Sequence, residues 1–406
     1  MKVLLTDGSG LTALQSARRL ASEGHRVEVL APDPVCLCRF SRHVRRVHRV
    51  PAYGADPLAW LDAALSVYRQ GRFDLLFPTQ EQVAVLAAFP DRLRAAAVVT
   101  AVPSFAALAS VQDKVSATAT LTRLGLPQPE TALEAAGWDR FPAFVKEPIG
   151  TASGGVRRVG SVAELARALP AGHLAVVQAE APGPLAMCQS VFDTGRLVAF
   201  HANLRVGEGV NGGASHKRSV ELPEARAGME YLGRALGWHG ALSADVIVTG
   251  AGPLFIDINP RLVEPENAWA AGVDLVGALI DVARGTRPAN QDRSRPGVAT
   301  HQLLLAVLGA AQKGQGRRGV ARELTSARRG FGLYANSREE LTPRGDLPAA
   351  VPLVMAAATT IVSPGTWRWW AHGSVENYAL SPAGWDAIMI QADEVQPTPP
   401  APAPSS

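Results

Sequence analysis

The sequence is poor in cysteine and lacks a long uninterrupted apolar run, and each shortage excludes a class of protein. Only three cysteines occur in 406 residues, and Cys36 and Cys38 stand too close together for an ordinary disulfide or a zinc pair. We therefore expect a protein of the reducing cytoplasm. The longest apolar stretch, residues 347–362, is interrupted by Pro348 and Pro352. We expect a buried or interfacial helix there, with membrane-surface attachment as the alternative, and no transmembrane span.

The charge pattern gives little support for a nucleic-acid partner. The net charge is only +4, and the arginine-rich stretches 39–49 and 317–329 lack interleaved aromatic residues. Such stretches favour solvated faces or anion sites over a nucleic-acid groove. The first residues also lack a basic segment followed by an apolar one, so no signal peptide is expected.

Strand and helix patterns alternate over the first hundred residues. A buried strand, an amphipathic helix and a second strand are predicted at residues 2–6, 12–23 and 26–30. A strand–helix–strand unit of this kind implies a parallel sheet. Further strands are predicted at 73–77 and 97–100, so we predict that residues 1–105 form a small doubly wound domain.

Four further segments follow the first domain. Residues 106–180 alternate helices and strands, and residues 181–290 are richer in strands. The segment 291–395 begins with a helical pattern and contains a tryptophan-rich stretch at 367–370, and we expect an interaction or substrate-capping region there. Residues 396–406 are rich in proline and alanine and are predicted to be disordered.

Two short apolar segments each carry an acid. Asp245 lies in the segment 242–248 and Asp257 in the segment 254–258, and the Thr-Gly-Ala-Gly link between them predicts a hairpin. Because side chains alternate along a strand, Asp257 and Asn259 face the same way, and Asp245 can reach that face from its neighbour. Two carboxylates and an amide oxygen suit Mg²⁺, with Mn²⁺ as an alternative ion. A hairpin with two solvated acids is the other interpretation.

A lysine and a loop of small residues suggest a phosphate site. Lys146 stands late on a predicted strand, and Ser153, Gly154 and Gly155 follow in a loop. Backbone of this kind can approach phosphate oxygens and present N–H donors, while a lysine supplies positive charge. Further on, the predicted strand 174–178 leads into a connector whose backbone could read an adenine edge. A surface hairpin and an ordinary connector are the respective alternatives.

Glycines and cations are concentrated between residues 205 and 218. Such a stretch predicts a mobile flap that closes on negatively charged intermediates. Arg205 and Lys217 are the predicted catalytic members of this flap. A flexible surface loop is the alternative.

Taken in order, these elements resemble the ATP-grasp superfamily, and the resemblance covers roughly residues 1–290. The matching elements are Asp113-Lys114 before a helix ending in Gly-Leu-Pro, the Lys146 strand, the Gly154-Gly155-Val156 loop, the Val177-Gln178 hinge, Asp245, and Asp257-Ile258-Asn259-Pro260-Arg261. The resemblance implies an α/β (α+β) ATP-grasp fold. It would have an N-terminal doubly wound, Rossmann-like domain, two ATP-grasp subdomains at 106–180 and 181–290, and a C-terminal mixed or helical extension.

The resemblance also implies a role for each matching residue. The residues that would contact ATP are Lys114, Lys146, Ser153, Gly154, Gly155, Gln178, Glu180 and Ala181. The residues that would hold one or two Mg²⁺ ions are Asp245, Asp257 and Asn259. Arg261 would lie beside the transferred phosphoryl group and the acyl phosphate, with a structural ion pair as its alternative role.

Three departures from the family pattern stand out. Ala179 follows Gln178 where the family usually has glutamate. The acid that commonly binds ribose is missing from residues 184–187, and Glu180 could substitute for it. Asp257 stands where glutamate is usual, and its shorter side chain would alter bidentate metal binding without abolishing it.

The N-terminus supports a rival interpretation. Residues 8–13 follow a strand, open a helix and match the G-x-G-x-x-A dinucleotide fingerprint, and Asp33 lies near the position of its ribose-binding acid. An NAD(P)-dependent dehydrogenase is therefore one alternative, and a non-catalytic nucleotide-binding module is another. The six-strand Rossmann continuation is lacking. In the ATP-grasp interpretation, this turn and Thr79-Gln80-Glu81 would face the acceptor substrate.

The function implied by the resemblance is an ADP-forming ligase. It would activate a small-molecule carboxylate as an acyl phosphate with Mg-ATP and join it to an amine, forming an amide bond. The oligomeric state that fits this interpretation is a homodimer. Fold-level resemblance does not select the acid or the amine.

Overall fold

The structure, a computed structural model, describes residues 1–150, 154–169, 174–286, 291, 293–341, 345–372, 375 and 377–395. Within these ranges, no helix has the length and apolar character needed to cross a membrane. The predicted tail, 396–406, lies outside the described residues, as does Ser153 of the predicted phosphate loop.

Strands and helices alternate along the chain. The strands are β1 Lys2–Leu5, β2 Arg26–Ala31, β3 Val44–Arg49, β4 Leu75–Phe77, β5 Thr131–Ala132, β6 Ala143–Lys146, β7 Val156–Val159, β8 Val176–Ala179, β9 Leu185–Asp193, β10 Arg196–Glu208, β11 Ala214–Ser219, β12 Gly240–Thr249, β13 Gly252–Asn259, β14 Ala299–His301 and β15 Ser337–Glu339. The helices are α1 Leu11–Ser22, α2 Pro57–Gly71, α3 Val83–Ala88, α4 Pro90–Ala95, α5 Phe105–Gln112, α6 Lys114–Arg123, α7 Val162–Ala168, α8 Pro223–Ala235, α9 Glu266–Ala270, α10 Leu275–Ala283, α11 Leu303–Gln312, α12 Gly316–Arg329, α13 Val351–Val362, α14 Trp367–His372 and α15 Pro382–Val395.

The N-terminal strands form a parallel sheet in the order β3-β2-β1-β4. Its apolar strands, such as β1, are buried because helices cover a parallel sheet. The strand predicted at residues 97–100 is wrong. Ala97 has a φ of 50°, in the left-handed region that interrupts an extended strand, and the segment is tied to the sheet by a bond from Leu76 N to Val99 O of 2.9 Å.

A small antiparallel sheet follows, in the order β5-β8-β6-β7. Val145 and Val177 lie in its core with Trp138. Lys146 ends β6 and is paired in register with Val156 of β7 and Val176 of β8. The lysine is thereby fixed on a central strand of the sheet.

The largest sheet has the order β13-β12-β9-β10-β11-β14-β15. Its neighbouring strands are antiparallel except β14 and β15. The predicted hairpin of the two acidic strands is confirmed: Asp245 stands opposite Asp257, and Ser243 opposite Asn259. A register shift follows Asp245, where the ladder is locally interrupted.

The C-terminal region, residues 291–395, is built into the rest of the chain. Its strands β14 and β15 extend the large sheet. Its last helix, α15, packs against α2 and α3 of the N-terminal domain, and Trp385 and Ile388 share a buried core with Trp60. A buried ion pair of 3.0 Å joins Asp346 to Arg18 of α1. The predicted domain boundaries stay predictions, although this segment makes extensive contacts outside its predicted bounds.

Candidate functional site

A cavity of about 820 Å³ lies where the three sheets and the C-terminal helices meet. Most of the predicted site residues line it: Lys114, Lys146, Gln178, Glu180, Ala181, Arg205, Asp245, Asp257, Asn259 and Arg261. A small adjoining cavity of about 30 Å³ is also lined by Lys114, Asp257, Asn259 and Arg261. The volume of the large cavity lies in the upper part of the range that is usual for small-molecule sites, roughly 300–1,000 Å³.

The two predicted metal-binding acids lie side by side on adjacent strands. Burial, and after it the charge of Asp257, raises the pKa of Asp245 to about 7, while Arg261 lowers it. Two carboxylates at matched register leave a concentration of negative charge that a cation would relieve. Among the described residues no group of three or more His, Cys, Asp and Glu could hold a metal ion, and Asn259 stays a predicted third ligand. An all-oxygen set of this kind fits Mg²⁺.

Lys146 is buried and held by two acceptors. Its Nζ donates to Gln178 Oε1 at 2.7 Å and to the Ile256 carbonyl at 2.6 Å. Burial lowers the pKa of Lys146 to about 8, with Asp257 acting in the opposite direction. The ammonium group is therefore positioned between the small sheet and the acidic hairpin before any ligand arrives.

Gln178 has both ends of its carboxamide occupied. Besides accepting from Lys146, it donates from Nε2 to Thr131 Oγ1 at 3.0 Å. Sequence reasoning expected this side chain to face adenine. The structure places it on the cavity wall as the residue that orients Lys146, and adenine contact stays a prediction for the backbone of Glu180 and Ala181.

Glu180 is engaged by a neighbour on β7. Arg158 donates to both of its carboxylate oxygens, with Nη2 to Oε2 at 2.7 Å. These hydrogen bonds from Arg158 hold the pKa of Glu180 below its usual value. Arg158 already binds the carboxylate of Glu180. A ribose contact through Glu180 therefore stays a prediction, and it would require this carboxylate to bind both Arg158 and the ribose.

The described part of the predicted phosphate loop, Gly154 and Gly155, lies directly before β7. Gly155 has a φ of 72°, and its carbonyl accepts from Glu147 N at 2.8 Å. A Cβ at Gly155 would lie 2.9 Å from Glu147 Cβ, so the turn requires glycine there. Gly154 and Gly155 do not line either cavity. Lys114 reaches towards the loop from α6, donating to the Gly150 carbonyl at 3.2 Å.

Arg261 follows the acidic hairpin directly. Its backbone N donates to Asn259 O at 2.7 Å, and its Nε lies 3.9 Å from Glu81 Oε1. The guanidinium lines both cavities. The two side chains of this ion pair are only 12% and 10% exposed, so a structural ion pair stays the alternative role of Arg261.

The predicted flap is a hairpin of the large sheet, formed by β10 and β11 around a short 3-10 turn at Val210–Gly212. Backbone pairing holds the two arms of this segment up to Glu208 and from Ala214, and closure of the segment on an intermediate stays a prediction. Arg205 lines the cavity and donates to the Gly212 carbonyl at 2.6 Å.

Lys217 lies elsewhere. Its side chain is 1% exposed, and its ammonium donates to Glu264 and, at 2.8 Å, to Glu340. Burial alone would lower its pKa, but the two carboxylates outweigh this effect and raise it. Lys217 is not among the residues that line the cavity, so direct contact with an intermediate has no geometric support.

Glu264 is a site residue that sequence reasoning missed. It lines the cavity and has a φ of 37°, unusual for a residue with a Cβ. Its backbone N donates to Thr12 Oγ1 at 3.0 Å, and its carboxylate binds Lys217 and Gln302. Strained backbone held by such contacts clusters at functional sites. Its position three residues after Arg261 was the available signal.

The N-terminal turn does not favour a dinucleotide. Asp7 accepts from the backbone N–H groups of Ser9 at 2.9 Å and Gly10 at 2.7 Å. A Cβ at Gly10 would lie 2.4 Å from Gln80 Nε2, so this glycine is needed for internal packing. The N–H groups that a pyrophosphate would use are occupied by a carboxylate, which argues against the dehydrogenase interpretation.

Comparison with known proteins identifies the fold. No family model matches the sequence, and no curated protein matches it. Among solved structures, an N5-carboxyaminoimidazole ribonucleotide synthetase in its ADP complex has a TM-score of 0.60 at 16% identity, covering 78% of this chain and 85% of that one. The N5-carboxyaminoimidazole synthetase of Staphylococcus aureus has a TM-score of 0.58 at 14% identity, covering 81% and 85%.

A third similar structure is the biotin carboxylase domain of Hydrogenobacter thermophilus 2-oxoglutarate carboxylase, in complex with MgADP, ADP and bicarbonate. It has a TM-score of 0.58 at 17% identity and covers 73% of each chain. These likenesses show the fold of the chain. It has the α/β ATP-grasp fold that the order of its motifs predicts.

Proposed function

We propose that this protein is an ADP-forming ligase that uses Mg-ATP to activate a small-molecule carboxylate and joins it to an amine. The single observation that carries the proposal is the cavity wall on which Asp245, Asp257 and Asn259 lie beside Lys146 and Arg261. This combination offers oxygen ligands for a divalent cation and positive charge for a triphosphate. The structural neighbours that bind ADP or MgADP support the same use here.

The nucleotide would lie between the small sheet and the acidic hairpin. Lys146, held by Gln178 and the Ile256 carbonyl, presents a fixed charge for phosphate oxygens. Lys114 approaches from α6 and would supply a second charge. The backbone after β8, at Glu180 and Ala181, would face the base. Fixed cations of this kind lower the cost of reorganisation when charge develops during the reaction.

The acidic hairpin would hold the metal. Asp245, Asp257 and Asn259 are the residues that would coordinate Mg²⁺. When bound, the ion would supply positive charge that offsets the negative charge developing as the phosphoryl group is transferred. Burial, and after it the charge of Asp257, raises the pKa of Asp245, and a bound cation would favour the ionised form of this acid.

Two steps account for the chemistry. A carboxylate oxygen of the substrate attacks the γ-phosphorus, forming an oxygen–phosphorus bond while the bond to the β-phosphate oxygen breaks and ADP leaves. The amine nitrogen then attacks the acyl carbon, phosphate leaves with the carbon–oxygen bonding pair, and the amine loses a proton. Arg261 and Arg205 line the cavity where this negative charge would move, and no side-chain nucleophile is needed.

The cysteines and one similar structure bear on the proposed cellular location and partners. Cys36, Cys38 and Cys188 are buried and free, which supports a reducing, cytoplasmic location. The partners are small-molecule acids and amines, with no nucleic acid. A homodimer is included because one similar structure is a domain dimer.

The proposal is tested by measuring ADP release from MgATP with panels of carboxylates and amines. We expect ADP formation to require one acid and one amine together, and to stop when EDTA removes the metal. ADP release that is independent of both substrates would contradict the ligase assignment. An absorbance change that requires NAD(H) would favour the dehydrogenase instead.

A further inference from the structure

The cavity continues beyond the residues assigned to the nucleotide, and its far end is apolar. The apolar side chains on this end are Leu11, Leu37 and Phe40 from the N-terminal domain and Leu304, Leu305 and Leu308 from α11. Bicarbonate, which is bound in one similar structure, has no apolar part that such walls would match.

The C-terminal helices hold this apolar wall in place. Leu308 is 2% exposed and packs in a small core with Val210, Ala356 and the half-buried Trp370. Trp370 is oriented by a hydrogen bond from its Nε1 to Thr359 Oγ1 of 2.9 Å. The wall is therefore fixed by packing and by a polar anchor before a ligand binds.

Trp369 adds an aromatic surface next to this wall. Its ring lies edge-on to that of Trp370, with centroids 4.6 Å apart, and it lines the cavity while remaining 70% exposed. An exposed indole at a cavity that is otherwise walled by leucines is a surface that an apolar ligand would cover. Phe331, which is 74% exposed in the same C-terminal region, does not line the cavity.

Gln80 is a buried polar residue of the same cavity. Gln80 lines the cavity and is only 3% exposed, yet its Oε1 has no hydrogen-bond partner among the described residues. Gly10, beside which a Cβ would clash, holds the carboxamide closely against the β1–α1 turn. A buried acceptor without a partner is costly, but Oε1 of Gln80 has almost no exposed surface, so this atom does not define a contact for a ligand.

We propose that this apolar part of the cavity is a specificity pocket for a substrate with a bulky aliphatic or aromatic group, and that α11 and α14 supply one wall of it. This inference rests on the proposed ligase function and extends it to a substrate class. The apolar group belongs either to the acid or to the amine, the two substrates of the proposed ligase. The role of the C-terminal region is thus to build the substrate site.

The test is calorimetric binding to the full chain in the presence of MgATP. The probes are two series, the straight-chain carboxylates from acetate to octanoate and the straight-chain amines from methylamine to octylamine. We expect affinity in one series to rise by about fourfold for each methylene that becomes buried. The series that rises identifies which substrate carries the apolar group, and a flat response in both series would overturn the inference.

Three variants separate the pocket from general hydrophobic binding. Trp369→Ala and Leu304→Gln should each flatten the chain-length dependence, whereas Phe331→Ala, the matched exposed aromatic, should leave it unchanged. A loss in Phe331→Ala as large as that in Trp369→Ala would also overturn the inference. ATP affinity and ADP release are measured on the same samples. Failure of the ligase proposal would remove substrate-dependent ADP release, whereas failure of the pocket would leave ADP release intact and the length dependence flat.

Discussion

At the scale of the residue, the ion pairs of Lys217 distinguish a side chain that holds a neighbour in place from one that contacts the reacting groups. The ammonium is enclosed by the carboxylates of Glu264 and Glu340, and Glu340 also accepts from Gln302 at 2.7 Å. Burial raises the pKa of Glu340, but Lys217 outweighs that effect and lowers it. Lys217 therefore contacts the cavity only through Glu264, which lines it, and its predicted catalytic role stays a prediction.

This arrangement makes Lys217→Met strongly destabilising. Removal of the ammonium leaves the buried carboxylate of Glu340 and the half-buried carboxylate of Glu264 without their counter-charge, which costs about 3–5 kcal/mol in the free energy of unfolding. Urea denaturation followed by circular dichroism measures the change. The matched control is Lys313→Met, because Lys313 is 42% exposed and lies 3.5 Å from Glu208, so it should lose at most about 1 kcal/mol. Normal stability of Lys217→Met, combined with lost activity, would return Lys217 to a direct catalytic role.

Individual residues also show which features could be predicted from the sequence and which could not. The apolar, β-branched segments around Asp245 and Asp257 predicted the acidic hairpin because strand periodicity is a local signal. The bond between Lys146 and Gln178 joins residues 32 apart, and that between Lys217 and Glu340 joins residues 123 apart. Such pairs arise from tertiary packing, which no local pattern in a single sequence encodes.

At the scale of the element, the β6–β7 hairpin depends on one glycine. Gly155→Ala would force a Cβ into the left-handed region and against Glu147. We expect the free energy of unfolding to fall by about 1–3 kcal/mol, measured by the same denaturation. Gly160→Ala is the control because a Cβ there would meet only Glu164, at 3.6 Å, and it should change stability much less. Equal effects of the two substitutions would contradict the assigned turn geometry.

Elements differ in how far they could be predicted. The βαβ unit at the N-terminus was predictable because buried strands and an amphipathic helix have distinct periods. The strand expected at 97–100 fails because Ala97 adopts a left-handed conformation, which composition does not reveal. The glycine-rich stretch after Arg205 was predicted as a flap, and β10 and β11 pair along its two arms, up to Glu208 and from Ala214. Glycine content indicates permitted conformations but does not exclude a hairpin.

At the scale of the whole molecule, the ends of the chain meet around the site. Asp346 joins Arg18, and Asn377 Nδ2 donates to Ser9 Oγ at 3.2 Å. The fold could be predicted from the order of the ATP-grasp motifs, and the structural likenesses confirm it. The placement of residues 291–395 could not be predicted from the sequence, because it depends on contacts between segments more than 300 residues apart.

The central claim is that the acidic hairpin binds the divalent cation through which ATP binds in this cavity. The most direct measurement is calorimetric ATP binding with Mg²⁺ and with EDTA, in the wild type, in Asp257→Asn and in Asp139→Asn, whose side chain is 87% exposed. We expect Mg²⁺ to tighten ATP binding in the wild type and in Asp139→Asn, and to have little effect in Asp257→Asn, although that variant melts at the wild-type temperature or above it. An Asp257→Asn protein whose ATP affinity still responds to Mg²⁺ as the wild type does would contradict the account.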